Sequence, residues 1–153
     1  MSDGQTTTEI HARLIDSLYT EAMVLADDAR SYFDRYGTDD RHGLDPIDRV
    51  SFSCESLKVT TRLMHVIAWL LTQRAVLTGE LPERDAMDQS RRLGSAPVTD
   101  PALLDRLPPV AAGLVSASID LHRRVARIEQ GRVEKRSPSS PARAMMDRLA
   151  ASF

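Results

Sequence analysis

Apolar residues recur at intervals of three and four from the beginning of the chain. Ile10, Leu14, Leu18, Ala22, Leu25, Ala29, Tyr32 or Phe33, and Tyr36 share one face of a helix turning about 100° per residue. Thr6 followed by Glu9 has the spacing of a capping box, so the helix is expected to open there and to stop at Gly37. Residues 37–45 read as a polar loop ending in Asp45-Pro46, where Asp caps and Pro suits the first helical position. Neither Gly nor Pro interrupts 46–78, which predicts a rod on the order of 50 Å at about 1.5 Å per residue, capped by Gly79. Residues 82–93 can form a short polar helix, and Asp100-Pro101 starts another short turn. After Pro108-Pro109, the positions Val110, Leu114, Ser118, Leu121, Val125 and Ile128 restore the helical period up to Gly131.

The second long helix carries more than one stripe. Ile47, Val50, Cys54, Leu57, Met64, Ala68, Leu71 and Ala75 fall on one apolar face, and Phe52, Val59, Leu63, Val66, Leu70 and Leu77 on another. A helix with two apolar faces must be covered from both sides, which is more than two partner helices in a small bundle supply. We therefore expect a homodimer, and assign its interface to Phe52, Val59, Leu63, Val66 and Leu70. Between the faces run two narrower stripes: Arg49, Ser56, Thr60, Ile67 and Arg74, and the polar, aromatic set Glu55, Lys58, Arg62, His65, Trp69 and Gln73.

The expected fold is all-α: three long antiparallel helices in a bundle, short connecting helices, and a disordered C-terminal tail. Residues 1–131 form the helical domain and 132–153 the tail, because RVEKRSPSSPAR is basic, rich in Ser and Pro, and has no core face. Beyond it Met145, Met146, Leu149 and Phe153 can form one or two amphipathic turns. Such turns are marginal alone and gain stability when docked on a partner.

Composition narrows the chemistry. Apolar residues make up 42% and charged residues 27% of the 153, typical of a globular domain. The formal net charge of -2 lacks the basic excess of a nucleic-acid binder. The uncharged stretches 63–73 and 107–119 are shorter than a membrane span requires. The polar N-terminus shows no secretory pattern, and a single cysteine fits a reducing compartment, so a cytoplasmic location is expected.

No catalytic motif, phosphate-cradling glycine loop or HExxH pattern is present. The histidines at 11, 42, 65 and 122 lack the paired Glu-x-x-His spacing of helical metal sites; Arg62 stands three before His65, where it would repel a cation. No enzyme activity, metal or cofactor is therefore expected. Cys54 reads as a small hydrophobe. Arg91-Arg92 and Arg123-Arg124 are interspersed with acids and read as solvated faces. The stripe with Trp69 is the strongest candidate partner-binding surface, comprising Glu55, Arg62, His65, Trp69 and Gln73, with Met145, Met146, Leu149 and Phe153 of the tail as a second element. The alternative is that Trp69 packs beneath the connecting loop or the helix after Pro82.

The run from Glu55 to Val76 closely resembles the signature segment of the RcdA-like family, regulators of CtrA degradation in alphaproteobacteria. The matching positions are Glu55, Ser56, Thr60, Thr61, Arg62, Leu63, Met64, Trp69, Leu70, Leu71, Gln73, Arg74, Ala75 and Val76. The resemblance implies a dimeric three-helix bundle with a flexible tail, acting without catalysis as an adaptor that helps the ClpXP protease select cell-cycle regulators such as CtrA. Its partners would be ClpXP, cell-cycle regulator cargo, response-regulator adaptors and a second copy of itself. A structural or transcription-linked helical dimer that contacts DNA is the alternative from another class.

Overall fold

The structure is a computed structural model that describes residues 2–136 and 141–152; it holds seven α-helices and no strand among these residues. Helix α1 spans Ser2–Ser31. It starts ahead of the expected capping box. The hydroxyls of Thr7 and Thr8 donate to the carbonyls of Asp3 and Gly4 inside the helix. A single π-helical turn, Tyr32–Tyr36, prolongs α1 and turns Tyr32 into the core against Phe33 and Phe52, with ring centroids 5.2 and 6.2 Å away. Gly37 closes this turn because the chain passes so near Tyr32 that a Cβ would lie 2.8 Å from its carbonyl oxygen. The expected loop at 37–45 contains a short helix, α2, Thr38–His42. Asp40 of α2 accepts a 2.7 Å bond from the Tyr32 hydroxyl.

Helix α3, Pro46–Leu77, has the expected start, with Asp45 in extended conformation before Pro46. Its end follows the sequence signal as well. Gly79 adopts φ +80°, the left-handed region that only glycine enters without strain. This lets the Glu80 and Gly79 N–H groups donate to the Ala75 and Val76 carbonyls, completing the cap. The residues after it form α4 (Glu83–Ala86), a 3₁₀ turn (Gln89–Arg91) and α5 (Pro101–Leu104), the last capped by the Asp100 carboxylate. Helix α6 runs from Pro109 to Arg136, straight through Gly131. Helix α7 spans Pro141–Ala151. Residues 132–136 are thus helical, which corrects the expected tail boundary, while 137–140 and Phe153 lie outside the described residues.

Helix α3 packs against α1 and α6, and these two also touch each other. Cross-helix pairs fix the directions. Asp16 with Arg74 and Phe33 with Phe52 set α1 antiparallel to α3. Glu21 with Arg124 and His11 with Arg132 set it antiparallel to α6. Ser118 with Arg62 and Arg132 with Gln73 show that α3 and α6 run parallel. Of the consecutive long helices only α1 and α3 are antiparallel, which corrects the expected bundle of three antiparallel helices at the step from α3 to α6. Two parallel helices need a long return between them, and residues 78–108 provide it.

The core gathers Ile15, Leu18, Ala22, Ala29 and Tyr32 of α1, Phe52, Val59, Leu63, Val66, Trp69 and Leu70 of α3, and Ala111, Val115, Leu121 and Val125 of α6. This overturns the assigned dimer face. Phe52, Val59, Leu63, Val66 and Leu70 are all buried within one chain, because α1 and α6 converge on that side of α3. The opposite face is the one left uncovered: Ile47, Val50, Leu57, Met64 and Leu71 are exposed by 74, 64, 69, 64 and 47%.

Candidate functional site

The return segment descends as a strap along the groove between α3 and α6, and the polar stripe of α3 holds it there. Irregular backbone lying on helices has N–H and C=O groups without a ladder to pair in, so side chains must serve them. Lys58 Nζ donates to the Val98 carbonyl at 2.8 Å and to Glu55 at 3.0 Å. Arg62 donates to the Pro97 carbonyl at 2.9 Å, the Thr99 hydroxyl at 2.5 Å and the Ser118 hydroxyl at 3.3 Å. The Thr99 hydroxyl in turn donates to Glu55 at 2.6 Å, closing a buried network of opposite charges. Burial pulls the Arg62 guanidinium below its ordinary pKa, and the neighbouring Glu55 carboxylate acts against that shift.

Helix α6 supplies the other wall. His122 Nε2 pairs with the Gly94 carbonyl at 2.9 Å, which makes that nitrogen the protonated one. Glu129 accepts from the Leu93 N–H at 2.7 Å and forms an ion pair with Arg92 at 3.7 Å. At Gly94 the strap lies flush on His65, where a Cβ would come within 2.7 Å of the ring nitrogen Nδ1. At the upper end Arg132 donates to Gln73 at 2.7 Å, to Glu83 at 3.2 Å and to His11 Nε2, joining α6 to α3, α4 and α1. Burial, with the positive charge of Arg132, lowers the His11 pKa below 6.5. At the lower end Arg106 pairs with Asp48 at 2.5 Å.

Most of the expected docking stripe therefore faces the strap and not solvent. Glu55 and Arg62 are 1% exposed, Trp69 3% and Gln73 5%, with His65 half-buried. This corrects their assignment as an open partner-binding surface: the strap occupies that side of α3. Trp69 lines a small cavity with Ala86 and Met87, so the alternative of packing beneath the Pro82 helix is the observed one. The Arg pairs are partly committed as well, Arg124 to Glu21 and Asp120, and Arg92 to Glu129. Among the described residues no cluster of His, Cys, Asp and Glu could hold a metal ion, and no helix is long and apolar enough to cross a membrane.

Open apolar surfaces among the described residues include three that bear on binding. The uncovered face of α3 holds Ile47, Val50, Leu57, Met64 and Leu71, with Cys54 exposed in its midst. Met64 also borders a groove of about 350 Å³ between α1 and α3, lined by Ala26, Ala29, Phe33, Leu63 and Ile67. On α7, Met145, Met146 and Leu149 are exposed by 65, 68 and 55%. The strap partners Gly94, Thr99, His122, Glu129 and Arg132 were not singled out from sequence as site residues. The one signal for them is the run of charge at Glu55, Lys58 and Arg62 on a single stripe between the two apolar faces of α3.

A family model described as "Protein of unknown function (DUF1465)" matches residues 6–153. The chain belongs to this family. Among solved structures, RcdA from Caulobacter crescentus CB15 is 32% identical, with a TM-score of 0.63 and a match covering 76% of this chain and 88% of that one. This member of the DUF1465 family is thus RcdA-like in sequence and fold. Comparison with curated proteins gives no match.

Proposed function

We propose that the protein is a non-catalytic adaptor in regulated proteolysis, working as a cytoplasmic homodimer that helps the ClpXP protease select cell-cycle regulators such as CtrA, alone or with response-regulator adaptors. The likeness to RcdA supports the role, because it extends over most of both chains. The observation that carries a binding function on this molecule is the length of apolar helix that one chain leaves open on α3. Exposed apolar surface rimmed by polar residues marks protein interaction sites. In this reading α3 meets a second copy through Ile47, Val50, Leu57, Met64 and Leu71, while the C-terminal segment is the tether to protease or cargo, through Met145, Met146 and Leu149 of α7 and through Phe153 beyond it.

The test is a capture experiment with inactive, substrate-trapping ClpXP, followed by degradation of purified CtrA with and without the adaptor. Full-length protein should accelerate degradation. A chain lacking residues 137–153 should lose the helicity of α7 alone, keep the bundle of α1, α3 and α6, and lose delivery. Full delivery by the truncated chain would exclude α7 as the tether, and no effect of the intact chain would exclude CtrA as its cargo.

A further inference from the structure

The strap lies on α3 and α6 much as an extended peptide lies in a receptor. Its recognition is almost wholly through the main chain: the carbonyls of Gly94, Pro97 and Val98 each accept from a side chain of the groove, and the N–H of Leu93 donates to one. Val98 is 85% exposed, so the groove uses its carbonyl and leaves its side chain in solvent. Between 94 and 99 only two positions are selected by side-chain identity. Gly94 is required by the close approach to His65, and Thr99 by its hydroxyl, which accepts from Arg62 and donates to Glu55.

The apolar anchoring is concentrated at the two ends. Ala86 is buried at one and Leu107 at the other, whereas between 88 and 98 Leu93 alone packs on the core cluster. A segment held by polar ties with little apolar burial belongs to the low-stability end of a fold and opens locally before the helices do. Its departure would also return Glu55, Lys58 and Arg62 to water, which recovers part of the hydration lost on burying them.

We propose that the α3–α6 groove is a peptide-binding groove occupied in cis by residues 92–100, and that an extended segment of a partner protein with the pattern Gly-x-x-x-x-Thr takes the strap's place. The groove supplies donors from Lys58, Arg62 and His122 and an acceptor from Glu129 to the incoming backbone, with Glu55 and Arg62 reading the threonine hydroxyl. This inference stands apart from the adaptor reading, since the groove and its occupant can be tested without protease or cargo.

The probe is a fluorescein-labelled peptide of residues 92–100, titrated by anisotropy into the full-length wild-type chain and into Gly94→Ala and Thr99→Val. Both substitutions lie in the strap and leave every donor and acceptor of the groove in place. Gly94→Ala sets a Cβ against the His65 ring and leaves the buried network of Glu55, Arg62 and Thr99 untouched, so it decides the matter if Thr99→Val fails to fold. The loosened variants should bind the peptide at least tenfold more tightly than wild type, and a peptide carrying Val in place of its threonine should bind at least tenfold more weakly. In wild type the Leu93 amide, bonded to Glu129, should exchange with solvent at least tenfold faster than the amides of Val59, Leu63 and Val66. Equal, negligible peptide binding by folded Gly94→Ala and wild type would overturn the proposal, as would Leu93 exchanging only together with α3.

Discussion

Arg62 is a charged group 1% exposed that donates to the Pro97 carbonyl and to the Thr99 and Ser118 hydroxyls. Arg62→Met leaves the Pro97 carbonyl without that donor and takes from the buried Glu55 one of its two neighbouring cations, Lys58 being the other. Leaving a buried polar group without its partner costs about 1–3 kcal/mol, more beside a charge, so urea denaturation should show a loss of that order. A loss below about 1 kcal/mol would mean that water reaches the network. His11 gives a pH dependence. Its pKa lies below 6.5 in the folded chain, so it is stabilising when neutral, fully so above the unfolded value, and that contribution is lost as pH falls through the folded pKa. His11→Gln keeps an acceptor for Arg132 that does not titrate. Denaturation midpoints compared from pH 7.5 down to 5 should therefore fall more steeply for wild type than for His11→Gln; parallel curves would remove His11 from the linkage. In sequence the stripe was legible as a unit, because its spacing places Glu55, Arg62 and Trp69 on one side of a helix whatever the tertiary context. Its orientation was not. A polar stripe facing solvent and one facing an irregular strap are the same string, and the partners Thr99, Glu129 and Arg132 lie on distant segments.

Among the elements, α3 was the most legible because both of its ends carry local signals, Asp45-Pro46 and Gly79, and nothing between contradicts them. The end of α6 was misplaced because Gly131 looks like a cap but lies one residue before Arg132, whose bonds to α1, α3 and α4 hold the helix in register past it. Gly in a helix interior costs about 0.8–1.0 kcal/mol relative to Ala. A Cβ at Gly131 would meet nothing within 4 Å. Gly131→Ala should therefore raise stability by about 0.5–1 kcal/mol, read as a higher thermal midpoint at unchanged helicity. A lower midpoint would show that the position is crowded by an interaction the isolated chain does not make. For α3 itself, periodicity gave two apolar faces and could not rank them, since burial depends on which side α1 and α6 take.

At the scale of the molecule, that ranking decides how copies associate. The parallel course of α3 and α6 places the strap on one flank of α3, α1 and α6 on the core side, and leaves the stripe from Ile47 to Leu71 open along most of the helix. The sequence-based expectation that α3 has more apolar surface than one chain can cover rests on the same imbalance, with the faces exchanged. Leu57 stands near the middle of the open stripe at 69% exposure, so a charge there leaves the folded chain intact while setting a buried charge against a neighbour in any dimer built on this face. Sedimentation equilibrium at micromolar concentration should find the wild-type chain dimeric and Leu57→Glu monomeric, with matching circular dichroism. Val66→Glu serves as the contrast: Val66 is fully buried within the chain, so it should unfold the protein instead of dissociating it. A dimeric Leu57→Glu would move the interface to another surface, and a monomeric wild type would leave the α3 stripe to a partner other than itself.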